Sequence, residues 1–286
     1  MGNWPGDPGT HEVNMTAFCR TSMHYLSPTG EGPADLATEV TVLDGRAANL
    51  PGWQVCGFEL VQHSSAVTDW TDDSQISAVH YEELEKLARE MTGADFALVA
   101  THIKRSPDDA RRHEQLSPIT FVHSDFAAGH ENFVRRTYRQ PGENGRAALD
   151  RNGATPLAVV NAKRTVILQF WRNTGEPKMD FPIAFCDART VMPVDARAFH
   201  VTDYAGTGAS FDALGVVEPA DPGTHRWYAF PELTADEVVA FRTYDTELVA
   251  QGKTYFTPHS AFRDPEVEVG KPARSSIELR ATCVFV

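Results

Sequence analysis

The chain has 286 residues, with 26 Lys and Arg against 39 Asp and Glu, a formal net charge of −13. Such a balance repels phosphate backbones and anionic lipid, and no local basic patch opposes it, so neither nucleic acid nor a membrane surface is an expected partner. Hydrophobic residues make up 42%, which together with the length supports a sizeable core and excludes a disordered chain.

The longest apolar stretches are strand-sized and far below the ~18 residues that a membrane span needs. The start, Met1-Gly2-Asn3-Trp4-Pro5-Gly6, lacks the basic and apolar regions of a signal peptide, which predicts a cytoplasmic protein. The four cysteines, Cys19, Cys56, Cys186 and Cys283, are far apart, form no CxxC pair and sit in apolar company, so reduced thiols are expected.

In chain order, residues 1–55 read as an arm rich in Gly, Pro, Thr and Asp with short strands such as Glu39 to Leu43. Residues 56–286 read as one domain with a helical elaboration around 77–92. There, Tyr81, Leu84, Leu87, Ala88 and Met91 fall at helical spacing from Ser77 to Met91, with Thr92-Gly93 as the stop, and Phe96 to Ala100 follows as a buried strand. From residue 119 onward the pattern is of short strands separated by Gly, Pro and Asp. These are Ile119 to Val122, Leu157 to Val160, Thr165 to Trp171, Ile183 to Phe185, His225 to Phe230, Glu237 to Phe241 and Ser276 to Val286. Gly142 to Gly145 and Gly206 to Ala209 read as long loops between them. This predicts a mainly β chain with flanking helices, folded as an antiparallel sandwich or barrel.

One tripeptide stands out for chemistry. In His123-Ser124-Asp125, at the end of a strand-like run, residues i and i+2 point to one face and can offer an imidazole nitrogen and a carboxylate to one metal ion. A second histidine would complete the two-His, one-carboxylate set that suits non-haem Fe(II). The candidates are His130, His200, His225 and His259, of which His259 has the best surroundings: it lies between two strand-like runs that an antiparallel fold brings to one end. In the last strand, Arg274, Ser276, Glu278 and Arg280 alternate with Ser275, Ile277 and Leu279. Such a polar face turned inward is costly unless an anion satisfies it, and a dicarboxylate would do so.

These residues resemble a known oxygenase family, the one that includes the cephamycin C7-hydroxylating component, the AsaB-type hydroxylase/desaturases and fungal gibberellin desaturase. The resemblance runs over roughly residues 55 to 286. It is carried by Gly57-Phe58-Glu59-Leu60 with His63, Val122 to Asp125, Phe170-Trp171-Arg172, Ile183 to Arg189, His225 to Pro231, Asp236 to Phe241, Pro258 to Phe262, and Arg274 to Arg280. It implies a double-stranded β-helix (jelly-roll, cupin-like) oxygenase that uses Fe(II), 2-oxoglutarate and O2 to hydroxylate, desaturate or cyclise a small natural-product intermediate. It implies His123, Asp125 and His259 as iron ligands, Arg274 and Ser276 as the anchor of the 2-oxoglutarate tail, Arg280 as the alternative anchor and Arg172 as a further basic residue nearby. It also turns the segment after Thr234, which could open a helix through a Thr-x-x-Glu capping box, into a strand. A homodimer stays open. The rival readings are a jelly-roll protein that binds a metal or anion without redox chemistry, and a hydrolase built on Cys186, for which no nucleophile motif is present.

Overall fold

A computed structural model describes residues 16–29 and 37–286. The start of the chain and part of the expected arm therefore lie outside the described residues.

Thirteen strands occur among them: β1 (Ala17–Met23), β2 (Thr38–Asp44), β3 (Phe58–Gln62), β4 (Phe96–Arg105), β5 (His123–Ser124), β6 (Arg164–Asn173), β7 (Ile183–Cys186), β8 (Ala196–Val201), β9 (Phe211–Val216), β10 (Trp227–Ala229), β11 (Glu237–Asp245), β12 (His259–Ala261) and β13 (Ser276–Phe285). They form an eight-stranded sheet, β1-β2-β10-β7-β12-β5-β9-β8, and a five-stranded sheet, β3-β11-β6-β13-β4. This is the mainly β, cupin-like jelly roll that the sequence led us to expect. The strands of the arm continue the larger sheet: β2 pairs with β10 and β1 with β2.

Alternation along the strands decides what each face meets. On β13, Ile277, Leu279, Ala281 and Cys283 point outward with Leu168 and Phe170 of β6, and pack under Leu84 and Ala88 of the helix Tyr81–Thr92. That helix is continuous with a wider turn over Ile76–His80, close to the expected Ser77 start, and ends at Gly93 in the left-handed region (φ 70°). Between the sheets an aromatic cluster fills one end: Phe58 stacks on Phe185 (5.5 Å between centroids), and Phe185 meets Phe241 at 4.9 Å.

Some expectations fail. Leu157 to Val160 belongs to a short helix, Pro156–Val160, capped by Thr155, whose hydroxyl accepts from the Ala158 N–H. Proline at the first helical position after a threonine cap outweighs the β-branched run. Gly142 to Gly145 is no loop, because Gly142 precedes the helix Glu143–Asn152. Ile119 to Val122 forms only a bridge, with β5 beginning at His123. The Thr234 segment does lead into a strand: Thr234 donates to Glu237 as a capping box would, yet Glu237 opens β11.

Candidate metal and cosubstrate site

His259 on β12 is the direct cross-strand partner of His123 on β5, so sheet register alone brings the two imidazoles side by side, 4.4 Å between centroids and tilted by 53°. β5 is also pressed against β9, where Gly215 opposes His123. A side chain on Gly215 would meet Leu26 at 2.8 Å, so glycine permits this approach. Each histidine donates from Nδ1 to a backbone carbonyl, His123 to Phe121 (2.7 Å) and His259 to Thr257 (3.1 Å). A carbonyl only accepts, so both rings are fixed with an Nε2 lone pair turned inward. Those Nε2 atoms lie 3.9 and 3.8 Å from Asp125 Oδ1, and the three ligating atoms are within 4.8 Å of one another.

The charge state suits a cation. Burial pushes the pKa of His259 down to about 4 and lowers that of His123, so both rings are neutral near pH 7. Burial opposes ionisation of Asp125, but the Arg280 guanidinium beside it overrides that and holds the carboxyl well below the usual carboxylate range. Two neutral imidazoles and one carboxylate are a donor set that fits Fe(II).

Two expected anchors separate in role. Arg274 is 5% exposed, and its Nε donates to Ser276 Oγ (3.0 Å) while its guanidinium lies over the Trp171 ring at 5.0 Å. Among the described residues it has no carboxylate partner, and burial, then repulsion from Arg105, lowers its pKa to about 9. A buried cation without an anion, lining the cavity, is a ready carboxylate acceptor. Arg280 is already spent: its Nε donates to Asp125 Oδ2 at 2.8 Å and its Nη2 forms an ion pair with the same oxygen at 2.7 Å.

Arg172 is a correction. It lies on the opposite face of β6, buried, donating to the carbonyl oxygens of His63 (2.8 Å) and Ala235 and contacting His63 Nδ1 at 2.6 Å, and it does not line the cavity. Alternation on β6 turns Ile167 inward with the odd-numbered positions, and Arg172 has the wrong parity.

Sequence reasoning missed Arg105. From β4 it donates to Glu278 Oε1 (3.2 Å), Tyr204 Oη (2.6 Å) and the carbonyls of Gln115 (2.7 Å) and Ser117 (3.0 Å). Five cationic side chains (Lys104, Arg105, Arg112, Arg274, Arg280) and four carboxylates (Asp73, Asp109, Asp125, Glu278) line the cavity, 5 − 4 = +1, inside a molecule of −13. The expected strand stops at Ala100, whereas β4 runs on to Arg105, so the sequence pattern carried no signal for this residue.

The cavity measures about 1220 Å³. Its far walls come from Phe126, the helices His130–Arg139 and Glu143–Asn152, and the β8–β9 hairpin with Phe199 and Phe211. Of the alternative histidine ligands, His200 is exposed beside Asp212, His225 is buried against Tyr25, and His130 lines the cavity without joining the three. Cys186 is fully buried, and burial raises its thiol pKa, which opposes a nucleophilic role.

Among known proteins, the chain is 29% identical over 243 residues to the hydroxylase/desaturase efuI of Hormonema carpetanum, covering 78% of this chain and 75% of that one. It is 24% identical over 292 residues to the Fe(II)/2-oxoglutarate-dependent dioxygenase nvfI of Aspergillus novofumigatus, covering 94% and 97%. The solved structure of the iron and alpha-ketoglutarate-dependent endoperoxidase NvfI superposes with a TM-score of 0.70 at 20% identity, covering 94% of this chain and 98% of that one, which establishes the shared fold. A family model described as an oxidoreductase/YMDC permease-like domain matches residues 21–285, and the chain belongs to that family.

Proposed function

We propose that the protein is an Fe(II)- and 2-oxoglutarate-dependent oxygenase acting on a small, largely apolar natural-product intermediate. The observation that carries this is the convergence of His123 Nε2, His259 Nε2 and Asp125 Oδ1 in one cavity with Arg274, a buried guanidinium that has no carboxylate of its own. His123, Asp125 and His259 would hold the iron. Bound there with 2-oxoglutarate and O2, Fe(II) supplies the oxidation of a substrate C–H bond, coupled to decarboxylation of the 2-oxo acid to succinate and CO2.

The chain's own residues position and protect. Arg274, steadied by Ser276 and the face of Trp171, receives the distal carboxylate of 2-oxoglutarate. Arg280 occupies Asp125 Oδ2, so that the carboxylate turns Oδ1 toward the ion. Phe126, Phe199 and Phe211 exclude water and present apolar surface to the substrate. Substrate pose within this space decides among hydroxylation, desaturation and ring closure.

Residues 56–286 form the catalytic unit in this reading, with the arm as an extension of its larger sheet. Among the described residues no helix is long and apolar enough to cross a membrane. The net charge of −13 argues against nucleic acid as a partner. The test is conversion of 2-oxoglutarate to succinate with Fe(II) and O2: the unmodified protein should produce succinate and Asp125→Ala should not. A variant that retains it would remove the iron site from these residues.

A further inference from the structure

His130 opens the helix His130–Arg139 at the cavity wall and is 8% exposed. Two phenyl rings lie nearly parallel to its imidazole, Phe126 at 3.7 Å and Phe133 at 5.2 Å between centroids, both at 22°, and Tyr244 meets it edge-on at 5.6 Å. None of these offers it a hydrogen bond. The Tyr244 hydroxyl is engaged by the Ala128 carbonyl (2.8 Å) and the Glu131 N–H (3.2 Å). Among the described residues neither ring nitrogen of His130 has a partner. Neither ring nitrogen is sealed from the cavity, so a hydrogen-bonding ring stands at the cavity wall where phenylalanine would fill the stack equally well. Its remaining exposure is to the cavity, so a cavity occupant is what can satisfy it.

We propose that His130 is a specificity-determining residue: it makes an in-plane hydrogen bond to the substrate and selects a flat, fused-ring scaffold that carries a carbonyl or hydroxyl oxygen. The stack fixes the plane of the imidazole, so its polar atoms reach outward only along the ring edge. Phe126, Phe133 and Phe211 supply the aromatic surface that a flat scaffold packs against. A neutral imidazole donates from one nitrogen and accepts at the other, which admits either oxygen function. The inference rests on the oxygenase reading of this cavity.

The test compares fluorene, 9-fluorenone and 9-fluorenol by equilibrium dialysis against protein loaded with Mn(II) and 2-oxoglutarate. The unmodified protein should hold at least one oxygenated probe about fivefold more tightly than fluorene, the worth of one net hydrogen bond. His130→Phe keeps the stack and should reverse the order in favour of fluorene, while His130→Asn should keep part of the preference. An unmodified protein that ranks the probes as His130→Phe does, or binds none, overturns the proposal. Mn(II) titration tests the underlying reading separately. If the unmodified protein binds no Mn(II), the iron site itself is wrong; if only His130→Phe loses Mn(II), His130 is a metal ligand and the proposal falls.

Discussion

Arg280 grips one oxygen of Asp125 and leaves the other to the histidines. Its Nε and Nη2 both reach Oδ2, at 2.8 and 2.7 Å, while Oδ1 faces His123 Nε2 and His259 Nε2. Arg280 also approaches Glu278 Oε1 (3.4 Å), which Arg105 holds from the other side. The carboxylate that would bind the metal is therefore oriented before any metal arrives, and an arginine that the sequence offered as a cosubstrate anchor is engaged in that task.

Asp125→Asn should lose Mn(II) affinity by more than the roughly hundredfold typical of disturbing an outer-shell partner. It also removes the nearer of the two carboxylates beside Arg280, leaving Glu278 at 3.4 Å, so the metal-free variant should unfold more easily, by up to about 3 kcal/mol. Mn(II) titration and urea denaturation measure the two effects, and unchanged metal affinity would refute the ligand assignment.

Arg274→Met should weaken 2-oxoglutarate binding ten- to hundredfold, the worth of about 1.5–3 kcal/mol for hydrogen bonds to a charged group. Pyruvate, which has no distal carboxylate, should bind the variant as it binds the unmodified protein. Arg172→Met should leave both 2-oxo acids untouched. Calorimetric titration of Mn(II)-loaded protein distinguishes these cases; an equal loss for both acids in Arg274→Met would disprove tail anchoring.

His80 should make the fold acid-sensitive. It is fully buried, its Nδ1 lies 2.9 Å from Glu83 Oε2 and its Nε2 has no partner, and burial pushes its pKa from 6.5 down to about 4. The unfolded chain therefore takes up this proton first as pH falls. Its contribution is complete above about pH 6.5 and is lost toward pH 4, at up to about 1.4 kcal/mol per pH unit. Urea midpoints at about pH 7.5 and about pH 5 should differ less for His80→Phe than for the unmodified protein; equal differences would rule the effect out.

Gly57→Ala should couple stability to the site. Gly57 sits at φ 95°, and a Cβ there would lie 2.4 Å from Thr257 Oγ1. The Thr257 carbonyl in turn receives the His259 Nδ1 proton. The left-handed strain costs about 2 kcal/mol, and the displaced Thr257 should weaken Mn(II) binding as well. A thermal melt with Mn(II) titration checks both; a lower melting point with unaltered metal affinity would uncouple them.

The sequence was most informative where a period of two applied. His123 with Asp125, and Arg274 through Arg280 on β13, could be placed on shared faces because a strand leaves no other choice. The same rule would have excluded Arg172, which was included on resemblance alone. Leu157 to Val160 misled because four apolar residues fit either a strand or a helix, and the decisive Thr155-Pro156 start lay just before them. Arg105 was invisible because its partners, Gln115, Ser117, Tyr204 and Glu278, are up to 173 residues away and met only on folding.

The two halves of the site belong to different sheets. His123 and His259 come from the eight-stranded sheet, with Asp125 directly after β5, whereas Glu278 and Arg280 come from β13 of the five-stranded one. The metal ligands lie on the larger sheet, while Arg280, which holds Asp125, and Arg274, just before β13, come from the smaller, so iron bound together with 2-oxoglutarate spans both layers. A ligand that binds only the closed state adds its binding free energy to the contact between the layers, which makes iron and cosubstrate a clasp as well as reagents.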